Sequence, residues 1–76
     1  MIFGRLKTRI IEQVGAEEDE IILESSFIDD LGFDELDMIE LLFEVEEEFD
    51  IEIPDSEAVK INTVGEMVSY IQSQLE

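Results

Sequence analysis

This chain predicts an all-α fold: a four-helix bundle with three longer helices, one short third helix and a long first loop. Three observations carry that expectation. Apolar residues recur at the three- and four-residue spacing of helices, and only residues 51–53 offer a strand. Asp34 and Thr63 stand where helix N-caps belong, each just ahead of an apolar-periodic run. The 76 residues allow one small domain, spanning 1–76, with a modest buried fraction.

The first helix is expected from about Ile2 to Val14, with Phe3, Leu6, Ile10 and Val14 on one stripe. Gly15 follows at a place that suits a left-handed cap. Ala16 to Gly32 reads as a long, mostly irregular loop. Its acidic run is Glu17 to Glu20, and Ile21, Ile22, Leu23, Phe27 and Leu31 are its apolar anchors. A loop of this length is functional or held down by its own side chains. Phe27 and Leu31 are expected as core plugs rather than ligand contacts.

Asp34 caps a second helix that runs to about Phe49. Glu35 and Asp37 fall in its first turn, where negative charge meets the positive helix end. Ile39, Leu42, Val45 and Phe49 are expected to face the core. Leu36, Glu40, Phe43 and Glu47 form a different stripe. Apolar Leu36 and Phe43 among acids suggest a partner surface; the alternative is that Phe43 folds sideways into the core. Ile51-Glu52-Ile53-Pro54 is an extended connector, because the residue before proline avoids helix. Pro54 to Val59 makes one or two helical turns with Pro54 near their start. The last helix opens at Thr63, with Glu66 completing a capping box. Val64, Met67, Val68, Ile71 and Leu75 form its buried stripe, Gly65 weakens it slightly, and Tyr70 packs with its hydroxyl at the surface.

Composition excludes much. Without cysteine there is no disulfide, thiolate nucleophile or thiolate metal site. Without histidine the usual general base and commonest metal ligand are gone. The net charge of −18 comes from 22 acids against 4 bases. Arg5, Lys7 and Arg9 lie in the first nine residues, and Lys60 is the one base beyond them. Such a field repels nucleic acid and anionic membrane, which need clustered Lys and Arg. It attracts basic protein surfaces and speeds encounter with them. No apolar run approaches the ~20 residues of a membrane span, and no signal peptide is read. A cytoplasmic monomer is the expectation.

Asp30-Leu31-Gly32-Phe33-Asp34-Glu35-Leu36-Asp37 resembles the modification loop of an acyl carrier protein. The likeness extends over the chain. Phe27-Ile28-Asp29-Asp30-Leu31-Gly32 matches the preceding loop, and Leu36-Asp37 and Glu40-Leu41 stand at family positions. Glu46-Glu47-Glu48-Phe49-Asp50, Ile53-Pro54-Asp55, Ala58, Lys60-Ile61, Thr63-Val64 and Tyr70-Ile71 complete the match. The resemblance implies a right-handed bundle whose second helix recognises partner enzymes. Asp34, Leu36, Asp37, Glu40, Phe43 and Glu47 are then its candidate partner-binding residues. It also implies an apolar slot between helices two and three that shelters an acyl chain, with Met38, Leu42, Val45, Ile53, Ala58 and Ile61 as candidate lining; simple core packing is the alternative for these six.

The family's Asp-Ser-Leu signature, whose serine carries phosphopantetheine, reads Asp34-Glu35-Leu36 here. A carboxylate cannot form that phosphodiester. No cofactor is therefore expected as written, and phosphopantetheine only if serine is restored at position 35. Phe33 stands where the family has a small residue; it is expected to be exposed and to crowd the mouth of the slot. Ser25, Ser26, Ser69 and Ser73 lack the Asp-Ser-Leu context, and Ser56 on the short helix is a decoy.

The leading function is an acyl carrier protein homologue of fatty-acid or polyketide-type metabolism that recognises partners through an acidic second helix. A regulatory or structural acidic module unrelated to acyl transfer stays open, as does an engineered non-loadable carrier. An enzyme is not expected: Glu35 and Asp37 are paired carboxylates with no cleft and no oxyanion donors. Asp29, Asp30, Asp34 and Asp37 gather near one end of the second helix, and Glu46, Asp50 and Asp55 near the other. Without turn-glycine or EF-hand spacing, weak exchangeable divalent cations are expected rather than a metal site.

Overall fold

The computed structural model describes residues 1–76. Four α-helices follow in order: α1 (Ile2–Val14), α2 (Glu35–Phe49), α3 (Asp55–Ala58) and α4 (Val64–Leu75). α1 packs against both α2 and α4. It buries Leu6 and Ile10 completely and half-buries Phe3 and Val14. Gly15 ends it in the left-handed region at φ 70°, its N–H donating to the Ile11 carbonyl at 2.9 Å.

The loop from residue 16 to 34 is ordered by its own hydrogen bonds. A 3-10 turn covers Glu18–Glu20. The buried Ser25 hydroxyl donates to the Glu20 carbonyl at 2.7 Å and accepts the Ile22 N–H at 3.1 Å. Further on, the loop is stitched to the start of α4. Phe27 N–H donates to the Asn62 carbonyl, Val64 N–H to that of Ser25, and Gly65 N–H to that of Leu23 at 2.8 Å. Gly65 is thus a close-approach glycine rather than a mere weak point, for a Cβ there would lie 3.0 Å from the Leu23 oxygen.

Of the expected loop anchors, Ile21, Phe27 and Leu31 are buried, whereas Ile22 and Leu23 are exposed. Ile21 has extended backbone, so its neighbour turns to the opposite side. Phe33 departs most from expectation. It is 2% exposed, a core residue rather than a surface one. Gly32 at φ 75° reverses the chain there. Phe33 N–H then donates to the Phe27 carbonyl at 2.9 Å, and its ring meets that of Phe27 edge-on, centroids 5.3 Å apart.

α2 starts with a reciprocal cap. The Asp34 carboxylate accepts the Asp37 N–H at 2.8 Å, and that of Asp37 accepts the Asp34 N–H at 3.1 Å. Its buried stripe is Leu41, Val45 and Phe49, with Met38 and Leu42 half-buried. Ile39, expected in that stripe, is 44% exposed. Helix phase explains both: at about 100° per residue, Leu41 lies ~40° from Val45 but Ile39 ~120° away. The helix ends at Asp50, which adopts the left-handed conformation at φ 55°.

The connector buries Ile53, whose N–H donates to the Glu46 carboxylate at 2.7 Å. Pro54 caps the single turn of α3. Thr63 and Glu66 form the expected capping box of α4. Main-chain N–H groups of Asn62 and Thr63 hold the Glu66 carboxyl below the usual carboxylate range. Val64, Met67 and Ile71 are buried and Val68 partly so. Leu75, assigned to the same stripe, is exposed because the final turn runs past the core. The Tyr70 hydroxyl donates to the Glu52 carbonyl at 3.0 Å.

Each of the four bases is engaged. Arg5 Nε donates to Glu48 Oε2 at 2.8 Å, and Arg9 reaches the other oxygen of the same carboxylate. The Arg5 guanidinium also sits 4.6 Å from the Phe49 ring centroid. Lys7 pairs with Glu18 and Lys60 with Glu57.

Candidate functional site: the outer face and groove of α2

α2 presents two candidate edges. On its outer edge Leu36 is 70% and Phe43 63% exposed, and Glu40 and Glu47 are exposed with them. This stripe lies ~160–220° around the helix from Val45, so Phe43 does not turn into the core. Ile39, expected in the core, instead joins Leu36 and Phe43 to complete a three-residue apolar strip. Helical spacing alone carried the signal, since Ile39 continues the step from Leu36 to Phe43. Asp34 and Asp37, two further candidates for this face, have carboxylates committed to the helix cap.

The other edge borders a groove of about 660 Å³ between α2, α3 and the long loop. Met38 and Leu42 line it from α2, Ala58 from α3, and Ile61 from the segment that follows. Val45 and Ile53, the two remaining slot candidates, are buried in the core and do not line it. Phe33 is not part of it either, so it does not crowd the mouth. The loop supplies a wall that the sequence did not reveal: Phe27, Ile28 and Asp29. These come from a segment without periodicity, placed by main-chain bonds to residues distant in sequence.

Glu35, the first residue of α2, also lines this groove and is exposed. It lies ~80° from Val45, on the same side as Leu42. Its carboxylate makes no ion pair within the chain. No group of three or more acidic side chains is arranged to hold a metal ion. No helix is long and apolar enough to cross a membrane.

The chain is thus a small acidic helical bundle with an exposed apolar strip on one edge of α2 and a groove on the other. The family described as phosphopantetheine attachment site matches residues 4–71. An acyl carrier protein from Clostridium acetobutylicum is 53% identical over 76 residues, 100% of this chain and 99% of that protein. The structure of a putative acyl carrier protein from Mycobacterium tuberculosis superposes with a TM-score of 0.89 at 30% identity, covering 96% of this chain and 97% of the other. The chain belongs to the acyl carrier protein family, whose members are carriers rather than enzymes and whose prosthetic group is phosphopantetheine.

Proposed function

We propose that this protein serves fatty-acid or polyketide-type metabolism by docking on carrier-dependent enzymes without carrying phosphopantetheine itself. Glu35 carries the proposal. It stands in the family's Asp-Ser-Leu context, as Asp34-Glu35-Leu36, at the first turn of α2 and at the edge of the groove. Loading requires a side-chain hydroxyl to attack the coenzyme A pyrophosphate. A carboxylate offers none, so the residue at this place does not fit the prosthetic group. It is stable where it stands, because the positive end of α2 favours negative charge. Its fixed charge lies where the family's phosphodiester would.

Docking rests on the outer edge of α2. Glu40 and Glu47 steer the acidic face toward basic surfaces, in a cytoplasmic monomer whose own bases are all paired. Leu36, Ile39 and Phe43 supply the apolar anchors that a partner pocket covers. Glu40→Lys and Glu47→Lys slow association with a basic carrier-dependent enzyme, most at low salt, whereas Phe43→Ala speeds dissociation.

Intact-mass measurement after incubation with a phosphopantetheinyl transferase and coenzyme A tests the central point. The expected result is no mass change for this chain and the gain of one phosphopantetheine for Glu35→Ser. A gain in the unaltered chain overturns the proposal and points to another hydroxyl.

A further inference from the structure

We propose that the groove bordered by α2, α3 and the long loop binds an untethered amphiphile with a cationic head, the head between Glu35 and Asp29 and the alkyl chain along Met38, Leu42, Ala58 and Ile61. The groove's volume, about 660 Å³, falls within the ~300–1,000 Å³ typical of small-molecule sites. Its lining is mostly apolar, with the uncharged Ser26 and Asn62 and the charged Asp29 and Glu35 as its polar members. Both ionisable residues that border it, Asp29 and Glu35, are acids, and neither forms an ion pair. The Glu35 carboxylate makes no hydrogen bond to its own helix cap, because Asp34 and Asp37 satisfy each other there. It remains available to a ligand.

Charge decides the head group. Lys60 is the base nearest in sequence to the groove lining, and it pairs with Glu57 without lining the groove. A fatty acid brings a carboxylate into a field of net charge −18 with no cation to receive it. An alkylammonium brings the opposite charge to two free carboxylates. The apolar chain then removes its methylenes from water, with no covalent arm needed.

Decylammonium below its critical micelle concentration is the probe, titrated calorimetrically into the whole chain, with decanoate and decanol as comparators. The expected result is one saturable site for decylammonium, weaker binding of decanol, none of decanoate, and affinity that falls as sodium chloride rises. Glu35→Gln weakens decylammonium about fivefold, whereas Glu52→Gln, beyond the far end of α2, does not. Ala58→Leu, which fills the groove, weakens decylammonium and decanol alike. Equal binding of decanoate, several amphiphiles per chain, or equal losses for Glu35→Gln and Glu52→Gln overturn the proposal. The last two would show diffuse attraction to the acidic surface. The readout is independent of loading: a mass gain with the transferase would refute the non-loadable reading and leave this titration standing, and the converse holds.

Discussion

Phe33→Ala is the substitution that most sharply tests the packing described above. Phe33 is 2% exposed, and its ring meets Phe27 edge-on at 5.3 Å. Truncating a buried phenylalanine costs ~3–5 kcal/mol, the transfer of the ring plus the cavity left behind. The Phe27 ring forms one wall of that cavity and cannot follow, being itself buried and tied through its N–H to Asn62. The upper part of the range therefore applies. For a domain of this size each kcal/mol moves the melting temperature by ~4–8 °C, so a loss of ~4 kcal/mol or more lowers it by at least ~16 °C. Small domains hold only ~5–15 kcal/mol in total, so the variant approaches the edge of folding. Phe43→Ala removes the same ring from a site 63% exposed and should shift stability by no more than ~0.5 kcal/mol. Thermal melts followed by far-ultraviolet circular dichroism, at neutral pH and fixed salt, compare the two directly. A drop of under ~5 °C for Phe33→Ala would refute its place in the core, and a large drop for Phe43→Ala would remove that residue from the proposed docking face.

Three further outcomes are expected. Hydrogen bonds from Arg9 and Arg5 hold the Glu48 carboxyl below its ordinary value. A depressed folded pKa gives stability that is complete above the unfolded value, ~4.3, and lost as pH falls through the folded value. The melting-temperature gap between the unaltered chain and Glu48→Gln should thus be present at pH 7 and close in acid; a gap constant with pH would show that the clamp does not depend on ionisation. Gly65→Ala gains helix propensity of ~1 kcal/mol, yet its Cβ would press 3.0 Å from the Leu23 carbonyl oxygen and strain the Gly65–Leu23 hydrogen bond. With overpacking costing ~1–3 kcal/mol, the melt should fall, and a rise would mean the loop gives way freely. Finally, salt should raise the melting temperature, with divalent cations acting at lower concentration than sodium. All four bases are already paired while most of the 22 acids are not, and screening acts over ~10 Å at 0.1 M. Indifference to both salts would show that the repulsion is compensated within the fold.

What the sequence determined by itself is what depends on neighbours along the chain. Gly15, Asp34 and the Thr63–Glu66 pair mark helix ends because caps act over three or four residues. Leu36 and Phe43 are legible as exposed because they lie nearly opposite Val45 on one regular helix. The family likeness and the carboxylate of Glu35 are likewise readable in the letters. Only the tertiary structure decided the rest. Phe33 is buried because Gly32 turns the chain and Phe27 lies across it, neither of which is a periodic signal. Ile39 was misplaced because a helix with apolar residues on two edges has an ambiguous phase until its neighbours choose the core side. The groove took Ile28 and Asp29 from the loop, and Val45 and Ile53 went to the core. The loop wall was set by main-chain bonds joining residues 23–27 to residues 62–65. Such bonds form between groups every residue carries, so no side-chain pattern announces them.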